Sequence, residues 1–246
     1  MQAVIVIPAR YGSSRFPGKP LVQIAGISLL QRVHDRVRSC RKAAHIYVAT
    51  DDERIASHVR GFGGSVVMTA SELPSGTDRI AAAMSEIRQR DGLNFTQIIN
   101  VQGDEPLIDV DGVDAMISAL QSLPIDVVTL SCPLSSEEEF RNRDVVKVVR
   151  DRNGTALYFS RAPIPHDSWH LARRHIGVYG YQSAALNAFS ALPPSPLELE
   201  ERLEQLRLLE NGFRIHVIDT AKPHLGVDRP EDVSRIEQEL RDAARG

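Results

Sequence analysis

Cysteine is almost absent. Cys40 and Cys132 are the only two in 246 residues, which excludes a disulfide framework or a zinc cluster and leaves two reduced thiols in or near a core. A long hydrophobic run is missing too. The first apolar stretch, residues 3–7, has no basic segment before it and has Pro8 and Arg10 close behind. It is therefore neither a signal peptide nor a membrane span, and a cytoplasmic location is expected. Nor is there an excess of positive charge: a formal net charge of −3 argues against a general nucleic-acid binder. Repeats, low-complexity tracts and flexible linkers do not occur. The chain reads as a single domain, 1–246, large enough to bury a substantial core.

Several catalytic signatures are missing as well. His166 and His170 are four apart, but they follow Pro165 and lack the glutamate of a zinc-binding H-E-x-x-H helix. There is no G-x-S-x-G elbow and no Cys/His nucleophile arrangement. The first loop is not a Walker A motif, because five residues separate Gly12 from Gly18 and Pro20 stands where the magnesium-binding hydroxyl belongs. No G-x-G-x-x-G follows the first strand. These absences leave direct displacement at phosphorus, assisted by metal and cations, without a covalent protein intermediate.

What is present begins at that same loop. The apolar run Ala3 to Ile7 leads into Pro8-Ala9-Arg10-Tyr11-Gly12-Ser13-Ser14-Arg15-Phe16-Pro17-Gly18-Lys19-Pro20. The ends of strands in open α/β sheets are where anionic ligands bind. Arg10, Arg15 and Lys19 suffice to neutralise much of a triphosphate, and the glycines let backbone N–H groups approach its oxygens. The plainer alternative is a basic, Gly/Pro-rich surface turn.

Short β-branched runs alternate with helical patterns at 28–39, 52–62, 78–89 and 111–122, which predicts an α/β fold with a mostly parallel central sheet flanked by helices. After Cys132 the pattern changes. Strands at 145–150 and 155–159 flank Asn153-Gly154, a hairpin turn signal, and another strand is expected at 175–181. This predicts a β-rich insertion at about 133–182. Pro196 is expected to open one long helix to Glu210, with Leu199, Leu203, Leu206 and Leu209 at helical spacing and Gly212 as its stop. Pro230 is expected to begin the last helix at its first turn.

Two aspartates follow strand regions: Asp104 in Asn100-Val101-Gln102-Gly103-Asp104-Glu105-Pro106, and Asp228 in Gly226-Val227-Asp228-Arg229-Pro230. Magnesium is content with one or two carboxylates plus water and phosphate oxygens, so these two are candidate metal ligands. A turn aspartate and a helix cap are the alternatives. Ser75-Gly76-Thr77-Asp78-Arg79 opens a helix, where backbone donors favour an anion or a base carbonyl; an ordinary cap by Ser75 or Thr77 would explain the hydroxyls equally. His175, Gly177 and Tyr179 share one face of a strand, and Glu204 and Gln205 lie beside a leucine stripe. The first suits a polyhydroxy ligand or a histidine and tyrosine satisfied at the edge of the core; for the second, solvated helix-surface residues are the plainer reading.

The blocks IPARYGSSRFPGKPL, VATDD, SGTDR, NVQGDEP, VVKVV with ALYFSRAPIP, HIGVYGY, SPLELEERLEQLR and GVDRPED occur in that order. Together they resemble the 3-deoxy-manno-octulosonate (KDO) cytidylyltransferase family. The opening block alone fits the wider cytidylyltransferase group, whereas HIGVYGY and LEQLR with NVQGDEP point to the KDO branch. The resemblance implies a nucleotide-diphospho-sugar transferase-like, Rossmann-like fold. It implies transfer of the cytidylyl group of CTP to KDO with release of pyrophosphate, for lipopolysaccharide biosynthesis, and it implies Mg2+ as cofactor and a homodimer. It assigns Arg10, Arg15 and Lys19 to the triphosphate, Ala9 with the Ser75–Gly76 backbone to the cytosine, and Ser14 to CTP binding. It gives Asp104 and Asp228 to the metal, and Arg79, Gln102, His175, Tyr179, Glu204 and Gln205 to KDO. A sialic or other nonulosonic acid is the alternative acceptor. A non-catalytic nucleotide-binding relative would show a missing metal aspartate or a broken cation loop, and neither occurs.

Overall fold

The structure, a computed structural model, describes residues 2–12, 16–220 and 225–243. In chain order it has β1 (Ala3–Ala9), a 3-10 turn (Lys19–Leu21), β2 (Gln23–Ile24), β3 (Ile27–Ser28), α1 (Leu29–Val37), β4 (Ala43–Thr50), α2 (Glu53–Gly61), β5 (Ser65–Met68) and α3 (Gly76–Asp91). There follow β6 (Gln97–Asn100), α4 (Val110–Ser122), β7 (Val127–Pro133), α5 (Glu137–Arg141), β8 (Lys147–Arg150), β9 (Ala156–Ser160) and β10 (Arg173–Gln182). The remainder is α6 (Ser183–Ala191), α7 (Pro196–Glu201), α8 (Gln205–Glu210), β11 (Ile215–Asp219) and α9 (Asp232–Ala243).

The chain divides into two compact units. The amino-terminal unit is built from Gln2–Asn94, Asn100–Val110 and His224–Gly246, and the central unit chiefly from Phe95–Ile99 and Asp111–Pro223.

In the amino-terminal unit β1, β4 and β5 pair in parallel in that order. A parallel strand covered on both faces needs apolar residues throughout rather than an alternation, and every residue of β1 is buried. Full burial of side chains such as Val4, Ile5, Val6 and Ile7 is worth about 1.5–3 kcal/mol each. Helix α1 buries Leu29, Leu30, Val33 and Val37. Polar residues satisfy the free amides where helices begin: the Ser28 hydroxyl accepts from the Gln31 amide at 3.2 Å, the Asp52 carboxylate from the Arg54 amide at 2.9 Å, and the Ser75 hydroxyl from the Asp78 amide at 3.1 Å.

In the central unit the strand order is β11-β7-β10-β6. Strand β7 runs parallel to β11 and antiparallel to β10. The expected hairpin is present: β8 and β9 pair antiparallel, and Gly154 turns the chain at φ 84°, which a residue with a Cβ adopts only at a cost. With α5 and β10, this hairpin makes up most of the β-rich stretch expected at 133–182.

Two expectations need correction. The single helix expected over 196–210 is two, α7 and α8, because Arg202 adopts a left-handed conformation at φ 55°, ψ 49°. Leu203 and Leu206, after the break, are buried, whereas Leu199, before it, is exposed, so the leucine spacing does not mark one continuous buried face. The last helix starts at Asp232, not at Pro230; the Asp232 carboxylate accepts from the amides of Asp228 and Arg229 at 2.8 Å each.

Candidate active site

Strand β1 delivers its chain to Ala9 and Arg10, and the loop beyond is closed by local contacts. The Gly18 amide donates to the Tyr11 carbonyl at 3.0 Å. The Tyr11 ring lies under the Arg54 guanidinium, 3.3 Å from its centroid. Arg54 in turn donates to both oxygens of Asp52, at 2.9 and 2.6 Å. Arg15, expected at the triphosphate, and Ser14, expected to bind CTP, lie outside the described residues.

Lys19 follows, and its ammonium is a meeting point. Nζ donates to Asp104 Oδ2 at 2.6 Å and to the Val227 carbonyl at 2.9 Å, and stands 4.0 Å from Asp228 Oδ1. Three sequence-distant segments are therefore gathered at the carboxyl end of β1. Gly103 makes this possible, since a Cβ there would stand 3.0 Å from the Pro8 carbonyl oxygen. The Val227 amide donates to the Asp104 carbonyl at 2.9 Å, which joins the two aspartate loops directly. The Asp104 side chain is 29% exposed and that of Asp228 69%. Burial raises the Asp104 carboxyl pKa; Lys19 opposes this, while Glu105 and Asp228 add to it.

Two carboxylates around one cationic point offer hard oxygen donors, the set that suits a divalent ion completed by phosphate oxygens and water. Among the described residues no group of three or more His, Cys, Asp or Glu side chains could hold a metal ion. A fully protein-made cage is thus not what these residues build.

The neighbouring expected residues take several parts. Ser75 caps α3, and its hydroxyl also donates to Asp78 at 2.6 Å; Gly76 packs on Pro8, where a Cβ would find ordinary contact at 3.6 Å. Gln102 Nε2 donates to Asn100 Oδ1 at 3.0 Å. The Arg79 side chain is fully buried. It donates to Asp51 at 2.9 Å, to the Thr69 hydroxyl and to the Ala70 carbonyl at 3.3 Å, while its Nε has no hydrogen-bond partner among the described residues. Burial, the largest influence, lowers the Arg79 pKa; Asp51 counteracts it and Arg10 reinforces it. Sequence reasoning missed the work of Asp51 and Asp52, which hold Arg79 and the Arg54–Tyr11 stack. The signal was available as two adjacent acids at the carboxyl end of a strand.

The central unit holds the other expected group. His175 Nε2 is 3.0 Å from the Thr129 hydroxyl. That hydroxyl also lies 2.8 Å from the Val178 carbonyl and 3.1 Å from that of Ile176. Its single proton goes to a carbonyl, so its oxygen accepts from an Nε2–H of His175. The His175 ring meets Phe159 edge-on at 5.0 Å and Tyr179 at 5.4 Å. Burial brings its pKa down to about 3, which keeps it neutral. The Tyr179 hydroxyl is held well above its usual pKa, by burial first and then by Tyr181 and Glu204. Among the described residues neither the Tyr179 hydroxyl nor Gln205 Nε2 has a hydrogen-bond partner, though both atoms are buried. Such groups are costly to leave unpaired.

The cytidylyltransferase family model matches residues 4–215, and the chain belongs to that family. Within it the chain is similar to the 3-deoxy-manno-octulosonate cytidylyltransferases. It is 48% identical to the one from Syntrophotalea carbinolica, over 98% of this chain and 99% of that protein. It is 44% identical to the one from Protochlamydia amoebophila, over 97% and 94%. An 8-amino-3,8-dideoxy-manno-octulosonate cytidylyltransferase from Shewanella is also 44% identical, over 98% and 99%. Among solved structures, a CMP:2-keto-3-deoxy-manno-octonic acid synthetase complexed with CTP superposes with a TM-score of 0.91 at 38% identity, covering 99% of this chain and 100% of that one. The mixed, mostly parallel sheet with flanking helices is the fold expected of the family.

Proposed function

We propose that the chain transfers the cytidylyl group of CTP to the anomeric hydroxyl of KDO, giving CMP-KDO for lipopolysaccharide biosynthesis. The observation that carries this reading is the convergence of Lys19, Asp104 and Asp228 at the carboxyl end of β1. The sugar oxygen attacks the α-phosphorus, a new P–O bond forms, and the bond to the β-phosphate oxygen breaks to release pyrophosphate. Both reactants are anions, so their repulsion has to be offset before attack.

Arg10, Arg15 and Lys19 supply positive charge to the triphosphate and to the leaving pyrophosphate, with Ser14 beside them. Ala9 with Ser75 and Gly76 reads the cytosine. Asp104 and Asp228 would hold the metal, taken as Mg2+. Bound there, such an ion supplies charge to the phosphate and sugar-acid oxygens. For KDO, Tyr179 stays protonated and donates, Gln205 Nε2 donates and Glu204 accepts. The resemblance adds His175, Arg79 and Gln102 as further proposed sugar residues. Holding both substrates for in-line attack supplies the rest of the advantage. No helix among the described residues is long and apolar enough to cross a membrane, which is compatible with the cytoplasmic location this reading carries. It also carries a homodimer, supported by Leu157, Leu171 and Leu199, each more than 60% exposed.

Pyrophosphate release from CTP tests the reading with three acceptors: KDO, its 8-amino analogue and a nine-carbon sialic acid. Turnover with KDO is expected to exceed both others. Asp104→Asn should lower kcat on the order of 100-fold while sparing much CTP affinity, and Lys19→Ala should lower kcat/KM for CTP by a similar factor. Turnover with the nine-carbon acid alone, or unchanged kinetics in both variants, overturns it.

A further inference from the structure

We propose that Glu201 and left-handed Arg202 are positioning residues that set Glu204 and Gln205 for the acceptor sugar; this rests on the reading of those two as sugar contacts. The leucine spacing would carry one helix through this segment, yet the chain breaks it with an arginine. A Cβ is disfavoured in the left-handed region, which glycine enters freely, and Arg202 takes it without being glycine. Glu201, the last residue of α7, also has the wrong charge for a helix carboxyl end. Two adjacent residues thus break local rules, and such places mark function when the surroundings hold them firmly.

The surroundings do. The Glu201 carboxylate accepts from the Ser160 hydroxyl and from the Arg161 amide at 2.9 Å, and its carbonyl accepts from Arg161 Nε at 3.0 Å. Behind Arg161 stands Lys147, fully buried. Its three N–H groups go to the carbonyls of Asn142, Val145 and Arg161, at 2.9, 2.6 and 2.7 Å. On the far side of the break, Arg207 of α8 is tied to Glu198 of α7 at 2.7 and 2.5 Å and stacks over Phe189 at 4.3 Å. With both ends fixed, the left-handed residue determines where the next side chains point. A continued helix would advance each by 100° and send Glu204 and Gln205 elsewhere. As built, Gln205 is 6% exposed with an unpartnered Nε2, and Glu204 acts electrostatically on the Tyr179 hydroxyl.

Steady-state kinetics in both substrates, with melting temperatures alongside, test this on Glu201→Gln, Arg202→Val and Arg202→Gly. Arg202 is exposed, so its variants keep the buried contacts even if Glu201→Gln folds poorly. Glu201→Gln and Arg202→Val are expected to raise KM for KDO about tenfold, with KM for CTP changed less than about twofold. Arg202→Gly, which enters the left-handed region freely, should keep the parent's KM for KDO. Gln205→Ala is the control. If it raises KM for KDO while Glu201→Gln and Arg202→Val only lower the melting temperature, this inference alone is overturned. If Gln205→Ala leaves KM for KDO at the parent value, the sugar-contact reading falls and takes this inference with it.

Discussion

His175 is a group whose environment decides its charge. Burial lowers its pKa to about 3, against roughly 6.5 in an unfolded chain. Between those values the unfolded chain takes up a proton that the folded one refuses. The associated stability is complete above about pH 6.5 and is lost as the pH falls toward 3, at up to about 1.4 kcal/mol per unit. Urea unfolding at pH 7 and pH 5 should therefore show the parent losing up to about 2 kcal/mol more than His175→Gln over that interval. Equal losses would mean the ring is not held neutral. Lys19, Asp104 and Asp228 stood out as candidates because cations and acids placed after strands form a recognisable pattern. What each one touches was not legible. Lys19 lies 85 residues from Asp104 and 208 from Val227, and no local pattern announces that an ammonium stands between two carboxylates.

Elements were legible where local chemistry and tertiary packing ask for the same thing. The Asn153-Gly154 turn is one: Gly154 has φ 84°, and a Cβ there would meet the His216 ring at 2.8 Å. Gly154→Ala should cost about 1–3 kcal/mol from backbone strain and crowding, a fall of roughly 2–10 °C in melting temperature for a chain of this size. An unchanged transition in a thermal scan would contradict the turn's conformation. The break at Arg202 was illegible for the opposite reason. Leucines stand at helical spacing on both sides, although Leu199 before the break is exposed and only Leu203 and Leu206 beyond it are buried, so periodicity suggests one continuous face while one residue's φ ends the helix. Helix α6 escaped notice because its sequence, SAALNAFSA, opens without a side-chain cap and carries little contrast between its faces.

At the scale of the whole molecule, the alternation of strands and helices gave the architecture but not the partition, because spacing along a chain does not say which distant segments pack together. The proposed homodimer belongs to this scale. Sedimentation equilibrium at micromolar concentration should give twice the chain mass, and a single-chain mass throughout would remove it. The amino-terminal unit closes with residues from the far end of the chain: Val227 and Asp228 at Lys19, and Glu237 accepting from the Ala25 amide at 2.8 Å. Domains generally fold in the order in which they emerge during synthesis, and here that order is frustrated. A nascent polypeptide halted after about two hundred residues would hold Lys19 and Asp104 while Val227 and Asp228 were still untranslated. The ribosome therefore supplies the last partners of the Lys19 ammonium near the end of translation, and a prematurely terminated product lacks them.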